Sequence, residues 1–183
     1  MDRRLFLTTV AAPVLCGTSG CLDIFEEDAE EICPDGSDHL ENLITDMSLR
    51  DDQLNGITLT STPSEVVPVR TPEFTVRLMN ERSTTFEIEG KDRYAIQRYA
   101  GDGWKTVTGV RPNHEWDEGT MTLAPGESVS WELKGERGGM DYGPVEMCLL
   151  PGPDRYRFVY WGIPETDTAL YTEFEIASYS SDD

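Results

Sequence analysis

The fold of this chain is decided by the stretch Leu149-Leu150-Pro151-Gly152-Pro153-Asp154-Arg155-Tyr156-Arg157-Phe158-Val159-Tyr160-Trp161. Its proline and glycine residues predict a turn, and the residues after them predict a strand. Successive side chains of a strand point to opposite faces. One face therefore carries Tyr156, Phe158 and Tyr160, and the other carries Arg157, Val159 and Trp161. A strand that is apolar or aromatic on both faces belongs in the middle of a sheet, so we expect strands on both sides of it.

The chain after residue 56 consists of short segments of alternating apolar and polar residues, separated by turn residues. These candidate strands are 57–60, 65–70, 74–78, 86–88, 94–99, 104–107, 121–123, 129–133 and 170–176. Pro125 and Gly126 are placed as a type II turn requires. Many short strands with no helix between them predict an all-β fold, namely an immunoglobulin-like β-sandwich of about seven strands. We expect its core to contain Trp104, Trp131, Phe158 and Phe174.

Residues 39–50 fit two patterns. The helical pattern has Asp38 and Glu41 as a capping-box pair, before a stripe of Leu40, Leu43, Ile44 and Met47. The strand pattern is the alternation of Leu43, Thr45, Met47 and Leu49. We expect a strand, because the sequence that follows is β throughout, and a helix remains the alternative.

Three motifs follow one another along the chain: Trp104-Lys105-Thr106-Val107, then Leu123-Ala124-Pro125-Gly126-Glu127-Ser128, then Leu150-Pro151-Gly152 leading to Tyr156-Arg157-Phe158. In this order they resemble the bacterial immunoglobulin-like domains of exported proteins, over residues 56–177. The glycine-rich insertion 134–144 departs from compact members of that family. The resemblance implies a β-sandwich in an extracellular setting, and it implies no reaction. Tyr156 also lies where a tyrosine corner would, with its hydroxyl bonded to upstream backbone.

The chain is strongly acidic. Its 183 residues include 35 Asp and Glu against 15 Lys and Arg, for a net charge of −20, and only three of the basic residues are lysines. An acidic excess spread along a chain keeps it hydrated, and concentrated salt screens the resulting self-repulsion. With lysine so scarce beside arginine, this composition indicates a protein of a high-salt organism, and we expect a haloarchaeal one; an ordinary acidic surface is the alternative. We expect no nucleic-acid partner, because the chain has no basic patch to meet phosphates.

The first residues predict export. Arg3-Arg4-Leu5-Phe6-Leu7 resembles the core of a twin-arginine signal, and the apolar run that it begins is too short to span a bilayer. Gly20-Cys21-Leu22 resembles a lipobox, although Thr18 occupies the usual leucine position. We expect a signal peptide at residues 1–20, cleaved before Cys21, whose lipidation holds the protein at the outer face of the cytoplasmic membrane. A plain signal peptide and an uncleaved anchor are the alternatives.

The remaining organisation is an acidic tether at residues 21–38, the sandwich at residues 39–177 and a frayed tail at residues 178–183. Exported proteins meet oxidising conditions, so we expect Cys33 and Cys148 to form a disulfide; two free thiols and a metal site are the alternatives. Zinc would need more ligands than these cysteines with His39 and His114, and copper would need a histidine after Cys148. We therefore expect no metal and no other cofactor.

The sequence contains no nucleophile elbow, P-loop, dinucleotide fingerprint or EF-hand loop. We expect a lipid-anchored binding or accessory module without catalytic activity, facing a protein partner at the cell surface. Its candidate binding loops are 110–119, which includes Trp116, and 134–144, which includes Tyr142. The alternatives are a secreted hydrolase that uses surface carboxylates or His114, and a solute-capturing lipoprotein.

Overall fold

The computed structural model describes residues 33, 37–67, 72–117 and 119–178, which all belong to one unit, Glu31–Asp183. The strands of this part of the chain are β1 (Asp38–His39), β2 (Ser48–Asp51), β3 (Gln53–Leu54), β4 (Ile57–Thr62), β5 (Glu65–Val66), β6 (Glu73–Asn80), β7 (Phe86–Ile88), β8 (Tyr94–Tyr99), β9 (Trp104–Thr106), β10 (Thr108–Val110), β11 (Met121–Leu123), β12 (Ser128–Lys134), β13 (Val145–Met147), β14 (Asp154–Tyr160) and β15 (Thr168–Ile176). One helical turn, α1 (Glu41–Ile44), accompanies them.

Two larger sheets form the sandwich. One sheet has four strands in the order β12-β6-β4-β3, and the other has six, in the order β2-β15-β14-β8-β9 with β5 also pairing with β15. Strand β14 pairs antiparallel with β15 on one side and with β8 on the other. The strand that was predicted to be central therefore lies inside the larger sheet.

The core lies between these sheets and is rich in aromatic rings. From β14, the predicted inner face of Tyr156, Phe158 and Tyr160 is fully buried. The indole of Trp131 on β12 lies 5.0 Å from the ring of Phe158, and Phe74 on β6 lies 4.5 Å from Phe174 on β15, measured between centroids. Burial of such rings is the main source of stability in a sandwich of this size.

The all-β class and the sandwich are confirmed, while the described residues form fifteen strands rather than about seven. Only six of these strands have six or more residues; the others are short pieces at the edges and in the connections. A three-stranded sheet, β1-β10-β13, and a two-stranded sheet, β11-β7, account for five of them. The Pro125-Gly126 turn is present, with Gly126 at a φ of 79° and the Glu127 N–H donating to the Ala124 carbonyl at 3.0 Å.

Two predictions about the core and the start of the domain need correction. Trp104 was predicted in the core, but it is half-buried and lies outside it. The buried Tyr94 and Ile96 lie on one face of β8, and Tyr99 lies on the other. Trp104 on β9 is the partner of Tyr99, so it shares that outer face. Residues 39–50 contain both α1 and β2 rather than one strand. The capping box does not form: the helical turn begins at Glu41 with Leu40 as its N-cap, and no side chain caps it.

Cys33 and Cys148 form the predicted disulfide, which closes a loop with a sequence separation of 115 residues. The hydroxyl of Tyr156 donates to the carbonyl of Gly152 at 3.0 Å and accepts from the N–H of the same residue at 3.1 Å. The bond to upstream backbone expected of a tyrosine corner is thus present. Within the described residues, the structure contains no helix of sufficient length and apolarity to cross a bilayer.

Several predictions lie outside the described residues. These are the twin-arginine pair Arg3 and Arg4, the lipidation site Cys21, nearly all of the tether, the end of the 65–70 segment, and residues 179–183 of the tail.

Candidate binding surface at the loop end

Four connections meet at one end of the sandwich, and we call this region the loop end. It consists of residues 89–93 between β7 and β8, 111–117 after β10, 140–144 before β13, and 161–163 after β14. Backbone hydrogen bonds join two of these connections: the Glu89 N–H donates to the Gly162 carbonyl at 2.8 Å, and the Trp161 N–H donates to the Arg93 carbonyl at 3.0 Å.

Arg93 holds the first predicted binding residue, Trp116. The guanidinium carbon of Arg93 lies 4.9 Å from the centre of the Trp116 ring. Its Nη2 donates to the Asp117 carbonyl at 2.9 Å, and its Nε lies 3.1 Å from a carboxylate oxygen of Glu89. Trp116 also meets Trp161 edge to face, with ring centroids 5.9 Å apart. The Trp116 ring is therefore half-buried and held by several contacts, with the Arg93 guanidinium over it.

Lys91 holds the second predicted binding residue, Tyr142. The Lys91 Nζ lies 4.7 Å from the centre of the Tyr142 ring and 5.6 Å from that of Trp131. Trp131 is anchored beneath, since its indole N–H donates to the Lys91 carbonyl at 2.8 Å. Tyr142 is 40% exposed, so a ring and an ammonium group are presented together to solvent.

His114 contacts a ring and a carboxylate at the loop end. Its imidazole meets Trp116 edge to face at 4.6 Å between centroids, and its Nε2 lies 4.0 Å from a carboxylate oxygen of Asp92. A distance of 4.0 Å is an ion-pair distance when the imidazole is protonated, and it is too long for a hydrogen bond.

Two tyrosines from the core extend to the loop end and fix its backbone. The hydroxyl of Tyr94 donates to the Met140 carbonyl at 2.6 Å, and that of Tyr160 donates to the Glu89 carbonyl at 2.9 Å. Burial disfavours the ionised phenolate, so the pKa of each hydroxyl is raised above its ordinary value. Both hydroxyls therefore stay neutral donors, and they hold two of the connections against the core.

Trp116 and Tyr142 were predicted on separate loops, and both lie beside the segment 91–93. Lys91 and Arg93, which supply the cation on each ring, were not among the predicted binding residues. The sequence did mark this segment as unusual. Lys91-Asp92-Arg93 lies between Gly90 and a predicted strand, and Lys91 is one of only three lysines in the chain. Their convergence on the two rings depends on tertiary packing, which this local pattern does not encode.

No family model matches the chain, and no curated protein matches it in sequence. Among solved structures, the chain is similar to the β-glucosidase of Listeria innocua in complex with gluconolactone, with 17% identity and a TM-score of 0.34, and in complex with glucose, with 16% identity and a TM-score of 0.32. Each similarity covers 67% of this chain and only 16% of the enzyme chain. Similarity at this TM-score carries no argument about the activity of this protein.

Proposed function

We propose that the protein is a binding module without catalytic activity, held by a lipid on Cys21 at the outer face of the cytoplasmic membrane. In this proposal, residues 1–20 are a twin-arginine signal peptide, residues 21–38 an acidic tether, and the sandwich presents its loop end to a protein partner. The acidic composition fits a high-salt setting, where salt screens the repulsion within a chain of net charge −20.

The observation that carries the proposal is the convergence of Trp116 and Tyr142 on Lys91 and Arg93. Aromatic rings with arginine or lysine beside them are typical of the central contacts of protein interfaces. Preorganisation by the buried tyrosine hydroxyls lowers the ordering cost that a partner would otherwise meet on binding. The alternative, a solute-capturing lipoprotein, would need a deep cleft that encloses its ligand.

The experiment is co-purification of the tagged full chain from native membranes, kept at high salt, with bound proteins identified by mass spectrometry. The wild type should remain in the membrane fraction, and Cys21→Ser should release or mislocalise it. A wild-type chain that is wholly soluble and unlipidated would refute the anchor.

The loop end is tested separately with Tyr142→Ala, for which Met121→Ala is the matched control. Both side chains are 40% exposed, and Met121 lies on β11 outside the loop end as defined above. We expect the recovery of a stoichiometric partner to fall with Tyr142→Ala and to be unchanged with Met121→Ala. Equal recovery with both variants would show that the partner binds elsewhere.

A further inference from the structure

The outer face of the six-stranded sheet carries a second cluster of rings and cations, separate from the loop-end residues. Its centre is Arg157, in the middle of β14, whose guanidinium carbon lies 4.6 Å from the centre of the Trp104 ring and 5.0 Å from that of Tyr171. We call Arg157, Trp104, Tyr171, Arg155 and Tyr99 the arginine platform. All of these residues except Arg155, which is exposed, are half-buried.

A hydrogen-bond chain fixes the Arg157 side chain. Its Nε donates to the Oε1 of Gln97, the neighbour of Arg157 on β8, and the Nε2 of Gln97 donates to the hydroxyl of Thr106 at 3.0 Å. Gln97 and Thr106 are both buried. This chain uses the Nε donor and leaves the two Nη groups without a hydrogen-bond partner among the described residues.

Among the residues that the structure describes, Arg157 also has no close ionic partner, although the charge of Glu173 acts on it from a longer distance. Its neighbour on β15 is Glu173, but the carboxylate of Glu173 pairs with Arg155 at 2.8 Å. In the described part of the chain, no carboxylate lies within ion-pair distance of Arg157, although acids outnumber bases by 35 to 15. Burial disfavours its charged form and lowers the pKa of the guanidinium. A rigid, partly desolvated cation with free paired donors has the chemistry of an oxyanion site.

The backbone around Arg157 limits the kind of ligand that fits. Strand β14 is paired on both sides, so its N–H and C=O groups are used in ladders. The platform therefore cannot bind a peptide by adding a strand or by backbone capture of a terminal carboxylate. Only side chains are available there, namely a guanidinium fork that lies over the rings of Trp104 and Tyr171. A sugar ring with an acidic substituent offers both a C–H face and an oxyanion.

We propose that the arginine platform binds an acidic sugar residue of a glycan chain. Its carboxylate or sulfate would accept hydrogen bonds from the Nη groups of Arg157, and the sugar ring would lie against Trp104 or Tyr171. The overall charge of −20 repels such a polyanion at long range, and salt screens this repulsion more than it screens the partly buried contact. The affinity of the chain for the acidic glycan should therefore rise as salt is first added. Ordinary ion exchange shows the opposite trend, because salt then only weakens binding.

The test measures binding of the full chain to polygalacturonate, to dextran sulfate and to neutral dextran by titration calorimetry at several salt concentrations. Binding to polygalacturonate assigns a carboxylate, binding to dextran sulfate assigns a sulfate, and binding to both assigns any oxyanion. We expect Arg157→Gln to weaken binding about tenfold or more, because a charge-assisted paired hydrogen bond is lost.

Arg77→Gln is the matched control, because it removes the same charge from an exposed side chain on β6, in the other sheet and outside the loop end. It should leave the affinity within about twofold. Arg157→Lys keeps the charge and loses the fork, and it should still weaken binding several-fold. It therefore replaces Arg157→Gln if that variant does not fold. Equal losses in the variants at positions 157 and 77 would overturn the proposal. It would also be overturned if neutral dextran bound as tightly as the polyanions, if the affinity only fell as salt was added, or if neither polyanion bound.

Discussion

Asn80 offers a sharp test of how the sandwich is held together. It is a polar residue with no exposed surface, at the end of β6. Its Nδ2 donates to the carbonyls of Thr84 and Leu123, each at 2.9 Å, and to that of Ala124 at 3.2 Å. Its Oδ1 accepts from the N–H of Arg82 at 3.0 Å. One side chain thus ties the turn that leaves β6 to the end of β11, which belongs to a different sheet.

Replacing Asn80 with Ala removes these bonds and leaves its backbone bonds possible. The bond to the Leu123 carbonyl is buried, so its loss costs about 1–3 kcal/mol, because water cannot replace the donor. The bonds to Thr84 and Arg82 are partly buried, and their loss costs about 0.5–1.5 kcal/mol each. The longer bond to the Ala124 carbonyl shares an Nδ2 hydrogen with the other carbonyls, so it adds little to this sum. We expect Asn80→Ala to lower the free energy of unfolding by about 3 kcal/mol.

The assay is denaturant unfolding at fixed salt, followed by tryptophan fluorescence, with Asn42→Ala as the control. Asn42 is exposed in α1, and its change should stay within about 0.5 kcal/mol. Asn80→Asp should be worse than Ala at neutral pH, because a carboxylate would face carbonyl oxygens. That loss should shrink as the pH falls, since a protonated carboxyl can donate again. A loss for Asn80→Ala no larger than for Asn42→Ala would refute this reasoning.

Three further predictions follow from buried groups. Tyr156→Phe loses both hydrogen bonds to upstream backbone and should cost about 1–2 kcal/mol in the same unfolding assay; an unchanged midpoint would contradict this. Replacing Cys33 and Cys148 by serine reopens the loop and should cost up to about 4–5 kcal/mol, and the wild type treated with reductant should match the double variant. Burial raises the pKa of Tyr94 and Tyr160 in the folded protein, so above about pH 10 only the unfolded phenols ionise. The free energy of unfolding should therefore be unaffected by these groups below about pH 10 and should fall above it. Unfolding midpoints and phenolate absorbance, both measured against pH, check this.

The longest strands could be read from the sequence because each has one buried and one polar face, or two buried faces. The alternation of Phe74, Val76 and Leu78 and that of Val129, Trp131 and Leu133 report the pleat directly. In β14 both faces carry large apolar residues, which only a central position can bury. For these segments, the local sequence pattern and the final packing both reflect the need to bury the apolar face of the strand.

Other parts of the fold depend on partners that are distant in sequence. Strand β2 pairs parallel with β15, and this pairing rather than any local period separates it from the helical turn before it. Trp104 was expected in the core because aromatic rings at this spacing usually lie there, and the register with Tyr99 places it on the outer face instead. The size and aromaticity of a side chain predict that it packs against other residues, but they do not predict on which face of the sheet it packs.

The candidate binding surface could be predicted only in part, because it also depends on residues that are distant in sequence. A tryptophan and a tyrosine in loops of a β-sandwich are visible in the sequence as unusual residues for such positions, and this led to Trp116 and Tyr142. The cations on these rings come from a third connection, 89–93, which the hydroxyl of Tyr160 on β14 holds against the core. That arrangement is a property of the closed sandwich.

The use of cations connects the charge of this chain to its two candidate surfaces. Five cations in the described residues lie over aromatic rings, and the list is Arg82, Lys91, Arg93, Arg155 and Arg157. Exposed ion pairs contribute about 0–1 kcal/mol and lose part of this as salt rises. Contacts of a cation with a half-buried ring are screened less, because part of the interaction lies outside the solvent. A chain with few cations that places them on rings therefore loses less of these contacts as salt rises than it would lose of exposed ion pairs. The loop end and the arginine platform should accordingly hold their geometry as the salt concentration is raised.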